Sequence, residues 1–169
     1  MVWALRFEPE EVNDMKTLEL SPRRAVAKHR RVRRSSDRMI TDVDRRRLGT
    51  LISTREGRAW GTTQSMGQLE TLLEDATPVV TAEAPETLVT MNSTVKLVDV
   101  DSGARRFVTV VYPQDADDVP DEASIVKPLG LALIGCQAGD VLQCPGEPDH
   151  VLRIAEIVDQ PERAGAHPL

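Results

Sequence analysis

The sequence predicts an α+β protein: a short helical hairpin followed by an antiparallel sheet wrapped on one buried helix. Three observations predict it. The stretch 125–140 reads I-V-K-P-L-G-L-A-L-I-G-C-Q-A-G-D, and its helical segment is apolar almost all round. A helix of that kind cannot lie on a surface and must be enclosed. β-rich runs separated by turn residues flank it, at 95–100 and 107–112 before and at 141–144 and 151–158 after. Two amphipathic helical patterns with a brief connection come earlier, between residues 40 and 76.

Composition sets the limits. The 169 residues suffice for one domain, or for one domain and a small appendage. Aromatic residues are only 3%, so the core must be aliphatic. That suits a small domain better than a large enzyme with a deep pocket. The net charge of −6 is uneven: residues 1–38 hold ten Lys+Arg against six Asp+Glu, a net of +4, leaving −10 on the rest. Two cysteines make no disulfide framework. No apolar run is long enough for a membrane helix. The start, 1–7, is too short for a signal-peptide core and leads into acidic residues, so the expected compartment is the cytoplasm.

Residues 1–38 carry little periodic pattern. Within them, 23–38 reads R-R-A-V-A-K-H-R-R-V-R-R-S-S-D-R, eight basic residues and one acidic. One reading is an arm that meets nucleic-acid phosphates. The plainer reading is a disordered extension, or a start assigned too early, with Met39 the true start.

The hairpin is expected over 39–77. Thr41-x-x-Asp44 resembles a capping box, with Asp in place of the usual Glu. Ile40, Val43, Leu48, Leu51 and Ile52 follow helical spacing. Gly57, Gly61 and Thr62-Thr63 make a turn around Trp60. Met66, Leu69, Leu72, Leu73 and Ala76 form the second pattern, stopped by Pro78. Neither helix would be stable alone in water at this length, so the two must pack.

Residues 78–87, with Pro78 and Pro85, read as an extended linker. The second domain is expected over 88–160. Its first strand, 95–100, changes phase midway, which predicts a bulge or burial on both faces. Asp101-Ser102-Gly103 is a hairpin turn signal. The return strand runs to Tyr112 and ends at Pro113, and an acidic loop follows at 114–123. A short strand at 124–126 leads into the buried helix, where Pro128 occupies the first turn at no hydrogen-bond cost. Pro145-Gly146 turns the chain into the last strand, and 161–169 is a polar tail.

Catalytic patterns are sparse. Cys136, Cys144 and His150 fit no tight zinc spacing and lack a fourth ligand. Cys136 reads better as a small core filler. His29, His150 and His167 lie in unrelated places. Neither a nucleophile-elbow G-x-S-x-G nor a Walker-type loop occurs. No catalytic residue, metal or cofactor is expected.

Several motifs occur in order: V-T-M-N-S-T-V at 89–95, D-x-x-S-G-x-x-R, V-Y-P at 111–113, K-P-L-G-L-A-L-I-G-x-x-x-G-D at 127–140, and a closing L-R-I-A-E-I. Together, over about 88–160, they resemble the C-terminal domain of bacterial Gre-type transcription factors. The V-T-M-N-S and V-Y-P forms are most similar to the branch of that superfamily known as regulators of nucleoside diphosphate kinase. The resemblance implies an FKBP-like sheet wrapped on a helix, preceded by a helical hairpin. It also implies docking on RNA polymerase at the secondary channel, hairpin pointing inward. An FKBP-type isomerase site is not expected, because Phe107 and Tyr112 are the only rings of the sheet domain.

One departure bears on activity. Gre factors carry acidic residues at the hairpin tip that help hold a catalytic Mg²⁺, and a hard divalent cation needs such oxygen ligands. Here the tip reads S-T-R-E-G-R-A-W-G, so Glu56 is the only acid, flanked by Arg55 and Arg58. Glu56 is expected to pair with them rather than recruit a metal. The expectation is a non-enzymatic, monomeric regulator that binds RNA polymerase and does not stimulate transcript cleavage. The alternatives are a cleavage factor acting through Glu56 and a nucleic-acid binder using the basic arm. The expected contact surface has two parts: Tyr112, Pro113, Lys127, Pro128 and Leu129, and the tip residues Arg55, Arg58 and Trp60. Tyr, Trp and Arg most often carry interface energy. Tyr112 and Pro128 read equally well as packing residues.

Overall fold

The computed structural model describes residues 37–117, 119–143 and 151–161. Most of the basic arm, all three histidines, Cys144, the Pro145-Gly146 turn and the end of the polar tail lie outside the described residues.

A short strand, β1 (Met39–Thr41), leads into α1 (Asp42–Ser53). A one-turn helix, α2 (Arg55–Arg58), joins α1 to α3 (Thr63–Asp75). β2 (Thr77–Val79) and a 3-10 turn at Thr81–Glu83 follow. The main sheet comprises β3 (Thr94–Asp99), β4 (Arg105–Val111), β5 (Glu122–Ser124), β6 (Val141–Gln143) and β7 (Val151–Asp159), in the order β5-β4-β3-β7-β6. α4 (Pro128–Leu133) lies between β5 and β6 in the chain.

The helix starts are set locally. Thr41 Oγ1 accepts the Asp44 N–H at 3.1 Å, so Thr41 is the N-cap of α1 as its motif predicted. Thr62 caps α3 through a reciprocal box with Ser65. The predicted apolar positions of α3, Met66, Leu69, Leu72 and Leu73, are all buried. Ile40 does not belong to the helical face. It lies in β1 and is buried there, paired with Pro78 of β2 in a parallel two-stranded sheet. The stretch expected to be a linker therefore begins as a strand. Pro78 is tolerated because β2 is an edge strand, where a missing N–H breaks no central ladder.

The five-stranded sheet is mixed rather than antiparallel. β3 pairs antiparallel with β4 and β7, and β6 with β7, but β5 runs parallel to β4. The 3-10 turn Pro113–Asp115 and the acidic loop are long enough to carry the chain back before β5 starts. The expected phase change is a register irregularity of β3 against β7. Gly103, at φ +72°, supplies the left-handed residue of the β3–β4 turn.

Helix α4 is shorter than its apolar run. Pro128 stands at its first turn, and Gly135, at φ +76°, ends it. There the Gly135 N–H donates to Val89 O at 2.9 Å and its carbonyl accepts the Met39 N–H at 3.1 Å. Arg38 Nη1 donates to Leu131 O at 2.6 Å and so caps the carbonyl end of α4. The last residue of the basic run is thus bound to the fold, where a cation suits the negative end of a helix. A Cβ on Gly130 would collide with Ser124 O, so only glycine lets α4 press onto the end of β5. Leu131, Leu133 and Ile134 join Val95, Leu97, Val108, Val110 and Ile154 in one core. Leu48, Met66, Leu69, Leu72 and Leu73 belong to the same cluster, so the α1 and α3 helices are buried against the sheet unit.

Candidate interaction site

The site begins on one face of α1. Arg47, Thr50, Leu51 and Thr54 stand at i, i+3, i+4 and i+7, the spacing that aligns side chains on a helix. Thr54 leaves the helix and caps α2, its Oγ1 accepting the Gly57 N–H at 3.1 Å. A Cβ on Gly57 would collide with Leu51 O, so only glycine lets α2 fold back this tightly. The chain then turns through the Trp60 N–H, which donates to Gly57 O at 3.2 Å, and Trp60 is left 55% exposed. A Cβ on Gly61 would crowd Met66 and Ser65 and stand 3.2 Å from Val126 Cβ. The tip is therefore held against the residue preceding Lys127 and Pro128.

The facing wall comes from two loops. In the T-M-N-S turn, Thr90 Oγ1 and Ser93 Oγ lie 2.8 Å apart. Asn92 adopts φ +62°, with its N–H donating to Val110 O at 2.7 Å. Asparagine tolerates that left-handed conformation better than most residues. Tyr112 opens the second loop, and the Asp115 N–H donates to its carbonyl at 3.0 Å in the 3-10 turn. Between the two walls lies an open cavity of about 640 Å³. Trp60 and Tyr112 line it, together with Arg47, Asn92, Gln114 and Asp115.

Of the predicted contact residues, Arg55, Arg58, Trp60, Lys127 and Pro128 are exposed. Leu129 is half-buried and packs on the core. Tyr112, at 8% exposure, and Pro113 are buried. The structure brings Trp60 and Tyr112 to one cavity although 52 positions separate them in the sequence. Arg58 pairs with Glu70 of α3 rather than with Glu56, which corrects the expected pairing. Helix α3 runs past the tip and presents Glu70 there, a partner that local sequence could not reveal. Arg47, Asn92, Gln114 and Asp115 were missed as lining residues. The spacing of Arg47 to Leu51 and Thr54 was the available signal.

Two aspartates anchor α1. The Asp42 carboxylate accepts from the Thr81 N–H at 2.8 Å and from the Thr81 hydroxyl at 2.5 Å. The hydroxyl bond, then the backbone bond, hold its pKa below the ordinary aspartate value. The Asp44 carboxylate accepts the Met91 N–H at 3.0 Å. Cys136 is fully buried, its Sγ donating to Ala132 O at 3.3 Å, as a core filler would be. Among the described residues, no group of three His, Cys, Asp or Glu could hold a metal ion, and no helix is long and apolar enough to cross a membrane.

Residues 84–159 match the family model described as transcription elongation factor GreA/GreB, C-terminal. The chain is 33% identical over 129 residues to the regulator of nucleoside diphosphate kinase of Escherichia coli K12, covering 75% of this chain and 93% of that one. It is 35% identical over 92 residues to transcription elongation factor GreA of Clostridium botulinum Eklund 17B, covering 54% and 56%. Among solved structures, a prokaryotic transcription elongation factor GreA/GreB from Nitrosomonas europaea superposes with a TM-score of 0.59 at 35% identity, over 71% of this chain and 96% of that one. With the Gre-type motifs in order on a curled mixed sheet, these similarities settle the family: the chain belongs to the GreA/GreB transcription-factor family, in the branch of the regulators of nucleoside diphosphate kinase.

Proposed function

We propose that this protein binds RNA polymerase at its secondary channel and modulates elongation without stimulating transcript cleavage. The tip carries the reading. Within residues 53–61 Glu56 is the only carboxylate, and Glu70, which α3 brings to the tip, is tied to Arg58. A hard divalent cation needs several oxygen ligands, and one exposed carboxylate beside Arg55 and Arg58 supplies too few. The reach is also short: the 12 residues of α1 span only about 18 Å at ~1.5 Å per residue. We take the short helices as a hairpin plug and the sheet unit, FKBP-like in its wrap on α4, as the docking body. Lys127, Pro128, Arg55, Arg58 and Trp60 offer the exposed contact surface, with Leu129, Tyr112 and Pro113 supporting it from beneath. The protein works as a cytoplasmic monomer in this reading.

The test uses polymerase complexes backtracked on DNA. Wild type and Glu56→Gln should both leave the RNA uncleaved and should both compete with a genuine cleavage factor. Cleavage stimulated by wild type and lost in the glutamine variant overturns the reading in favour of a Gre-type acid.

A further inference from the structure

Residues paired across neighbouring strands share a face of the sheet. On the outer face, Arg105 of β4, Val98 of β3 and Arg153 of β7 therefore form one line across three adjacent strands. The next line holds Phe107, Lys96 and Glu156. The core lies on the opposite side, where Val95, Leu97, Val108 and Ile154 are fully buried. Phe107 is 51% exposed, and Arg105 and Arg153 are exposed beside it. Among the described residues, no hydrogen bond or ion pair engages either guanidinium, whereas Lys96 is held by Glu156 at 3.8 Å. Asp99, at the end of β3, is engaged in the turn, its carboxylate accepting the Asp101 and Ser102 N–H groups and the Ser102 hydroxyl. Two further acids, Glu122 and Asp159, stand at the far end of the face, on the line of Thr94 and Thr109.

Two unpaired guanidiniums thus stand two strand spacings apart, about 10 Å, with an open ring beside them. The body that carries them is acidic outside residues 1–38. β4, β3 and β7 are interior strands, so their ladders are closed and only side chains can recognise a ligand on this face. Added strands pair at sheet edges, which removes an extended peptide as occupant. A folded protein partner would ask for a larger apolar centre than one ring and the half-buried Val98. What fits is a chain that repeats negative charge and carries unstacked planar rings between the charges. We propose that this face binds single-stranded RNA, with a base on Phe107 and phosphates on Arg105 and Arg153. Repulsion from Glu122 and Asp159 keeps the strand at the arginine end, where it crosses β4, β3 and β7. RNA rather than DNA is the strand proposed, because the transcript is the single-stranded product of the process this family serves. The contact needs no polymerase and is separate from the cleavage reading.

Fluorescence anisotropy tests it, with a short labelled oligouridylate titrated with the full-length protein alone. Binding should saturate with a Kd of about 100 µM or tighter at low salt. Phe107→Leu should weaken it about tenfold, and Phe107→Tyr, which keeps the ring, should not. Arg105→Gln with Arg153→Gln should lower the slope of log affinity against log salt by about 1.4, or ~0.7 for each phosphate released. Arg106→Gln makes the same charge change one position along, where pairing with Leu97 sets the residue on the other side of the strand, and should leave the affinity unchanged. Every variant should melt as wild type does, since the altered side chains are exposed. Duplex RNA and oligoglutamate should bind more weakly than the single strand, and the deoxy strand no more tightly. No saturable binding overturns the proposal. So does an affinity unmoved by Phe107→Leu or by the double arginine variant, which would put the binding in the basic run 23–38 instead. Equal binding of duplex RNA would remove stacking, equal binding of oligoglutamate would make the face a site for acidic protein segments, and tighter binding of the deoxy strand would remove RNA; each overturns it.

Discussion

Asp44 and Met91, 47 positions apart in the sequence, meet inside the protein, where the aspartate carboxylate accepts the Met91 N–H at 3.0 Å. Asp44 is only 3% exposed, so the bond forms away from solvent. It ties the first turn of α1 to the T-M-N-S turn, and therefore one wall of the cavity to the other. Asp44→Ala leaves a buried donor unsatisfied, which costs about 1–3 kcal/mol. Denaturant unfolding should show that loss, and amide exchange at Met91 should accelerate. An unchanged midpoint would show that the tie is dispensable.

Asp42 makes the neighbouring tie, to Thr81, and its pKa is depressed in the folded state. A carboxyl depressed on folding contributes stability above its unfolded pKa, and that contribution is lost as pH falls through the folded value. Wild type should therefore be more stable than Asp42→Asn near neutrality. The gap should close in acid, below the ordinary aspartate value of 3.8. Melting both proteins across that range checks the sign; a gap that widens in acid would contradict it.

Two glycines of the helical region should respond in opposite directions. Gly57→Ala drives a Cβ into the Leu51 carbonyl, rigid backbone that cannot yield, and should destabilise the α1–α2 junction. At Gly49, within α1, a Cβ meets nothing within 4 Å. Gly49→Ala should therefore stabilise by about 0.5–1 kcal/mol through helix propensity alone. Thermal melts of the two variants beside wild type read both directions.

Leu133 is fully buried in α4. Leu133→Ala should leave a cavity in the shared core and cost roughly 2–5 kcal/mol. Because that core also holds Leu48 and Leu69, loss of helix signal and loss of sheet signal should coincide during unfolding. Separate transitions would show that the two regions unfold independently.

For the polymerase reading, the exposed Trp60 ring is the sharpest probe. Trp60→Ala should weaken competition with a genuine cleavage factor, since a large ring left open at a tip has little packing role. Competition undiminished by Trp60→Ala would remove the ring from the contact surface.

The sequence by itself determined the local devices. Thr41 as cap, Pro128 in the first turn of α4, the turn at Asp101-Ser102-Gly103 and the buried face of α3 are all decided by neighbours within a few positions. Side-chain capping, fixed proline φ and helical periodicity act over that range. The ordered Gre-type motifs made the family legible for the same reason. Only the tertiary structure decided that Ile40 belongs to a strand beside Pro78, that β5 runs parallel to β4, and that Gly135 ends α4 early. It alone placed Arg58 on Glu70 and brought Trp60 and Tyr112 to one cavity. Each of these depends on a partner brought near by the fold. A backbone edge, a carboxylate or a ring leaves no periodic mark at its own position to say which distant residue it will meet.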